Sequence, residues 1–200
     1  MPNLIMIHGL KESGKSTLAK HLMSKGYVRV KMADPLKNMI RSLLRDAGLD
    51  DEMIERCVEG DMKEVELNVL ANKSARFAME KLGHEWRNFF SEILWVDIVR
   101  AKIESLISAG RDVVVDDIRY PHELTAFDEF NPLLWVITRG EGHFRSVTPD
   151  TPKSEIPMDV KLFHHHFAND WDVVDPLYRE VSGVLDRVAR ADCRNETSDR

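Results

Sequence analysis

Cysteine is scarce in this 200-residue chain. Cys57 and Cys193 lie far apart and have no partner at ligand spacing, so they make neither a disulfide framework nor a metal or redox motif. A reducing compartment is expected. Positive charge is also short: 28 Lys plus Arg stand against 34 Asp plus Glu, a net charge of -6. That balance and the missing basic stripe argue against nucleic acid as a partner. No apolar run approaches the roughly 18 residues of a membrane span, and the N-terminal apolar run reads as a strand rather than a signal peptide. No membrane partner and a cytoplasmic location are therefore expected. Repeats and low-complexity segments are absent as well. What is present is a composition 43% apolar and 31% charged, enough to bury a real core in one α/β domain.

The most informative stretch is Gly9-Leu10-Lys11-Glu12-Ser13-Gly14-Lys15-Ser16, directly after the apolar run Leu4-Ile5-Met6-Ile7. It matches G-x-x-x-x-G-K-[ST] between a strand and a helix expected over residues 15–23. Gly9 and Gly14 permit a tight wrap whose N–H groups converge on phosphate oxygens, and the helix adds its positive end. Lys15 is suited to the β/γ-phosphates and the Ser16 hydroxyl to Mg²⁺. The nucleotide-binding set is Gly9, Lys11, Glu12, Ser13, Gly14, Lys15, Ser16 and Thr17, with ATP and Mg²⁺ as the implied ligands.

Periodicity organises the rest. Residues 27–32 read as a second strand, and Asp34-Pro35 as an N-cap followed by Pro at the first helical position. Leu36, Met39, Ile40, Leu43, Leu44 and Ala47 form one helical face. Residues 50–66 read as a mobile helical connector. Residues 68–82 read as a helix closed by Gly83, and 87–108 as a long helix with Phe90, Ile93 and Ile98 facing inward. Val113-Val114-Val115-Asp116-Asp117 is a buried-type parallel strand. A short helix over 123–130 and a strand over 133–137 follow. Residues 139–160 read as a lid carrying Arg139 and Arg145. Trp171-Asp172-Val173-Val174 is the expected last strand, and Asp175-Pro176 opens a terminal helix. Residues 191–200 read as a flexible tail. Alternating strands and helices imply a parallel sheet covered on both faces, with ligand at the carboxyl ends of the strands.

A carboxylate at the end of a buried strand is where a P-loop protein keeps its metal-side acid. Asp116 and Asp117 both qualify, and Asp117, nearer the strand end, is favoured. Arg119 lies near the same edge, where it could bind a transferring or accepting phosphate. Arg76 and Arg87 suit bidentate phosphate recognition, and Trp86 or Trp95 could stack on a base. His164-His165-His166 cannot all point one way, and no Cys or acid completes a site, so no metal is assigned there.

Taken together these segments resemble the bacteriophage deoxynucleoside monophosphate kinases. The matching pieces are Gly9 to Ser16, Ala33-Asp34-Pro35-Leu36-Lys37, Arg76 with Leu82-Gly83-His84-Glu85-Trp86-Arg87, Trp95-Val96, and Asp117-Ile118-Arg119-Tyr120-Pro121-His122-Glu123. Lys153-Ser154-Glu155 and Asn169 follow the Arg-bearing lid. His84 and His122 depart from the family pattern on the acceptor side. The resemblance implies a P-loop three-layer sandwich, an α/β fold with a parallel five-stranded sheet flanked by helices. One kinase domain would span 1–190, with an acceptor-binding helical region over 34–95 and a lid over 139–160. It implies transfer of the ATP γ-phosphoryl group to a deoxynucleoside monophosphate, in the host cell's cytoplasm if the source is viral. Carried over, Lys15, Asp117, Arg119 and Arg139 would be catalytic. Asp34, Lys37, Arg76, Arg87, Trp95, Asp117 and Arg119 would face the acceptor, and Ser16 with Asp117 would hold the metal. A homodimer is left open.

Two other readings use the same residues. One is a P-loop kinase for another small acceptor, such as a nucleoside, a sugar or phosphomevalonate, with Asp34 or Asp117 as a base. The other is a nucleotide-gated binding protein that uses the loop as a switch.

Overall fold

The computed structural model describes residues 4–140, 148, 151, 156–170 and 173–198, with backbone alone at 189 and beyond 190. Contacts divide the chain into two units, Met1–Arg29 with Gly110–Arg200, and Val30–Ala109. The helical region expected over 34–95 falls inside the second, which extends further on both sides.

The sheet is built from short apolar runs. Strand β1 (Leu4–His8) is buried at every position, the signature of a parallel strand covered on both faces. It pairs in parallel with β5 (Val113–Ile118) on one side and β6 (Leu133–Thr138) on the other. β6 pairs in parallel with β7 (His165–Ala168), and β2 (Val28–Val30) takes the outer place beside β5. The five-stranded order is β2-β5-β1-β6-β7, an all-parallel α/β sheet flanked by helices, consistent with a P-loop-type sandwich. On one face Ile5, Ile7, Val114 and Phe167 pack against Leu18 and Leu22 of α1 (Lys15–Ser24) and Leu177 and Val181 of α7 (Asp175–Ser198). Each such burial is worth about 1.5–3 kcal/mol against exposure. Between β5 and β6 lie α6 (Pro121–Thr125) and a 3₁₀ turn (Asp128–Phe130), where one helix over 123–130 was expected.

The last strand is a correction. It is His165–Ala168, not 171–174: Val173 and Val174 are exposed, and Trp171 and Asp172 lie outside the described residues. The three histidines alternate as a strand requires. His164 Nδ1 accepts from Leu134 N–H (2.9 Å), His165 Nε2 meets Glu180 (3.2 Å), and His166 Nε2 meets the Thr138 hydroxyl (2.8 Å). The backbone of α7 stays helical to Ser198, so the expected tail is helix there.

The unit Val30–Ala109 is helical. Its core joins Ile40 and Leu44 of α2 (Asp34–Asp46), Ile54, Cys57 and Val58 of α3 (Asp51–Val58), and Ala75 and Met79 of α4 (Ala75–Phe89). The connector expected over 50–66 contains a capped helix instead, since the Asp50 carboxylate accepts the Met53 N–H at 2.7 Å. A small hairpin, β3 (Glu66–Leu67) with β4 (Lys73–Ser74), replaces the start of the helix expected from 68. The Ser74 hydroxyl then caps α4 by accepting the Phe77 N–H. Gly83 sits inside α4 rather than closing it. The long helix expected over 87–108 is broken: α4 ends at Phe89 and α5 runs Leu94–Ser108. Ser91 makes the break, its hydroxyl taking the Ile93 N–H and its carbonyl the Leu94 N–H. Phe90, Ile93 and Ile98 are consequently exposed, as is Leu43 on α2. Asp34 does not cap α2 with its side chain; its carboxylate accepts the Lys31 N–H instead. No described helix is long and apolar enough to cross a membrane.

Candidate phosphate-binding loop and its neighbours

The loop after β1 is shaped by close contacts that leave no room for side chains. A Cβ on Gly9 would lie 2.4 Å from the Ile137 carbonyl oxygen and 2.5 Å from Ser13 Oγ. Gly14 has φ +105°, and a Cβ there would meet the Asn169 amide nitrogen at 2.5 Å. Asn169 donates to the Ser13 carbonyl at 2.9 Å, tying the loop to the end of β7. Glu12 takes a left-handed conformation, φ 66°, at the tip.

Within this loop the polar groups are distinctive. Ser13 is buried, and its hydroxyl makes no hydrogen bond. Lys15 curls back so that Nζ donates to the carbonyls of Gly9 and Leu10, each at 2.6 Å. The first turn of α1 carries no acidic residue, so nothing offsets its positive end. Lys11, Glu12 and Ser16 are exposed, while Gly14, Lys15 and Thr17 are half-buried. The tightly held glycine loop, the unsatisfied buried Ser13 hydroxyl and the ammonium resting on carbonyls all fit a phosphate chain.

β5 carries both candidate acids. Asp116 is 3% exposed and forms a fork with Arg29: Nε donates to Oδ1 at 2.8 Å and Nη2 to Oδ2. Nη2 of Arg29 also donates to the Ser16 hydroxyl at 3.2 Å. The acid joined to the P-loop serine is therefore Asp116. Asp117, favoured from sequence, is half-buried, and β5 carries an extra residue against β1 between Val115 and Ile118, so simple alternation does not set which way it faces. Arg29 was missed in the sequence; 87 positions separate it from Asp116, and no local pattern marks it.

Sheet register brings several groups to one edge. His8 lies opposite Ile118, and Thr138 opposite Ala168. Gly9, Arg119, Arg139 and Asn169 thus each follow directly on a strand, at carboxyl ends in the same sheet. Arg119 is half-buried and Arg139 exposed. The turn that carries Arg119 is set by Glu123, 2% exposed, whose Oε2 accepts the N–H groups of Arg119 (2.7 Å) and Tyr120 (3.0 Å). This explains the D-I-R-x-x-x-E spacing as turn chemistry. His8 is buried with Nδ1 on the Ile118 carbonyl (3.0 Å) and Nε2 facing Met158 N–H (3.4 Å), which fixes the backbone just before the loop. Arg145, Lys153 and most of the expected lid lie outside the described residues.

Of the acceptor-side candidates, Asp34, Lys37, Arg76, Arg87 and Trp95 belong to Val30–Ala109, whereas Asp117 and Arg119 belong to the unit that holds the sheet. Asp34 pairs with Lys102 at 3.5 Å, and buried Lys37 with Glu59 at 2.6 Å. Arg76 pairs with Glu80 at 2.8 Å and Glu64 at 3.5 Å, and Arg87 is half-buried. Around Glu59 burial acts to raise the carboxyl, but the Lys37 hydrogen bond and the charges of Lys37, Lys31 and Lys63 bring it below the usual range. Lys63 is pushed down by burial first and by Lys37 next. Trp95 corrects its expected role. It is 2% exposed, donates Nε1–H to the Gly83 carbonyl at 3.1 Å, and stacks under half-buried Trp86. Trp95 is core; Trp86 is the ring nearer the surface.

No family model matches the chain, and no curated protein matches it. Among solved structures it is similar to TT1252 from Thermus thermophilus, with a TM-score of 0.52 at 18% identity, over 93% of this chain and 97% of that one. At that identity the likeness speaks for the fold alone.

Proposed function

We propose that this chain is a P-loop phosphotransferase that moves the γ-phosphoryl group of ATP to the phosphate of a deoxynucleoside monophosphate. The observation that carries the reading is the loop itself: a buried Ser13 hydroxyl without a partner, Lys15 resting on two loop carbonyls, and Ser16 linked through Arg29 to a buried carboxylate. On this reading Lys15 exchanges the Gly9 and Leu10 carbonyls for β- and γ-phosphate oxygens. Mg²⁺, held by Ser16 and a carboxylate of β5, supplies charge neutralisation on the phosphates. Arg119 and Arg139 bear on the transferring group, and Asp34, Lys37, Arg76 and Arg87 serve the acceptor. Trp86 rather than Trp95 is the ring left for base stacking. A monophosphate oxygen is already ionised near neutral pH, its second pKa lying at about 6, so no general base is required.

The test is ADP formation from ATP and Mg²⁺ with dAMP, dCMP, dGMP and dTMP in turn. At least one should support turnover, and background rates with all four would sink the reading. ADP formed only with a nucleoside or sugar would point to a kinase for a hydroxyl acceptor, and slow hydrolysis indifferent to any acceptor to a switch. Lys15→Ala should lower kcat by about 10²–10³-fold while the circular dichroism spectrum stays that of the folded parent, because the phosphate-facing charge is lost and no core contact. Tm should fall only by what the two loop hydrogen bonds contribute.

A further inference from the structure

We infer that Arg29 is a built-in stand-in for the divalent cation of the P-loop: its guanidinium holds Ser16 and Asp116 together until a metal ion replaces it, which makes Asp116 the metal-side carboxylate. The inference rests on the ATP–Mg²⁺ reading above and adds a residue that the reading does not require.

One nitrogen, Nη2 of Arg29, donates both to the Ser16 hydroxyl at 3.2 Å and to a carboxylate oxygen of Asp116. A hydroxyl that accepts a hydrogen bond turns its lone pair toward the donor, and a divalent cation would use that same lone pair. Nε holds the second carboxylate oxygen at 2.8 Å, so both oxygens of Asp116 are engaged by one positive group. Asp116 is 3% exposed, and a carboxylate so buried needs a counter-charge at all times. Arg29 supplies it from β2, the outer strand of the sheet, and its side chain is 17% exposed, which leaves the guanidinium a way out. A hard cation that takes oxygen from Ser16 and Asp116 must displace Nη2 from both. Metal and arginine therefore compete for one carboxylate. Of the two acids at the end of β5, Asp116 is the one bound to the same nitrogen that holds Ser16.

Two measurements on the full chain test this, neither of them activity. In the first, a fluorescent ADP analogue is titrated with Mg²⁺. Arg29→Met removes the competitor, so the Mg²⁺ midpoint should fall by about tenfold, the worth of one charge-assisted hydrogen bond. Arg29→Lys, which keeps the charge but loses the fork, should shift it less in the same direction. A midpoint unmoved or raised in both variants overturns the proposal. In the second, Tm is measured in EDTA and then with Mg²⁺ and ADP. Arg29→Met should melt several degrees below the parent in EDTA and recover more than the parent does on ligand addition; an equal recovery counts against it. Should Arg29→Met not fold, Arg29→Lys and the acid pair decide. Asp116→Asn should lose the Mg²⁺ response and Asp117→Asn keep it, and the reverse order overturns the assignment. A parent that binds no nucleotide at any Mg²⁺ level would instead remove the ATP reading itself.

Discussion

The two units handle polar groups in opposite ways. Among described residues, the P-loop unit buries His8, Ser13, Asp116, Glu123, Thr138 and Asn169, on strands, in the segments that follow them or, for Glu123, on α6. In Val30–Ala109 only Lys37 and Ser74 are buried polar groups, and charges pair on exposed surface, as in Arg45–Asp51 and Arg76–Glu80. Burying a polar group costs free energy unless a partner satisfies it, so a concentration of them marks backbone held in a required shape. One unit spends interior space on placing loops. The other is held by an apolar core of Ile40, Leu44, Ile54 and Val58 and keeps its charges at the rim.

The sharpest way to break this contrast is Glu123→Ala set against Ser74→Ala. Losing the Glu123 carboxylate orphans the N–H groups of Arg119 and Tyr120, at a cost of about 2–4 kcal/mol. Losing the Ser74 hydroxyl removes one helix cap, worth about 1 kcal/mol. Urea unfolding should rank them in that order. Glu123→Ala should also release the turn carrying Arg119 and, on the proposed function, slow phosphoryl transfer even where the protein remains folded. Equal losses would mean that the buried polar groups of the first unit are no more organising than an ordinary cap.

The contrast also explains what could be read from the sequence. The P-loop and strands β5 and β6 are contiguous apolar or glycine patterns, and local patterns carry their own geometry. β7 was hidden because an outer strand needs only alternate burial: in His165–Ala168 only Phe167 is buried, and polar neighbours mask the strand. The α4–α5 break escaped because neither Pro nor Gly marks it, and Ser91 makes the turn with a hydroxyl and a carbonyl. Trp95 looked like a base contact because a tryptophan among arginines suits that use, but its indole N–H is spent on Gly83. The Arg29–Asp116 fork joins elements distant in the chain, and one sequence holds no trace of such a pairing. Lys15, Ser16 and Arg119 were legible as residue types in a motif; what the motif omitted was the support beneath them, namely Arg29, His8, Glu123 and Asn169.

His21 offers a milder test inside the P-loop unit. Its ring stacks on Tyr178 at 4.1 Å, linking α1 to α7, and its Nε2 is buried without a hydrogen bond. Burial, and secondarily the charge of Lys25, holds its pKa below the ordinary 6.5. The unfolded chain therefore takes up the proton more readily than the folded one. The stability held in neutral His21 is present above pH 6.5 and is lost as pH falls through the lower folded value. His21→Phe keeps the stack and removes the proton site, so Tm against pH should be flatter just below pH 6.5 than in the parent. Identical slopes would show that His21 titrates alike in the folded and unfolded chain.

The smallest effect is expected at the rim of the helical unit. Arg41 clasps Glu55 with Nε at 2.6 Å and Nη2 at 3.0 Å, and also donates to Glu59 at 3.5 Å. The hydrogen bond from Arg41 outweighs partial burial and keeps the Glu55 carboxyl below its ordinary 4.5. Its contribution is thus present above pH 4.5 and disappears as pH falls through the lower folded value. Because the Glu55 side chain is 54% exposed, solvent and salt screen the pair, and Glu55→Gln should cost about 0.5 kcal/mol or less at neutral pH. The difference between variant and parent should close in acid and in high salt, as measured by urea midpoints under each condition. A loss at Glu55 that matched Glu123→Ala and persisted in salt would place an organising charge on the helical unit's surface, and the contrast between the two units would fail there.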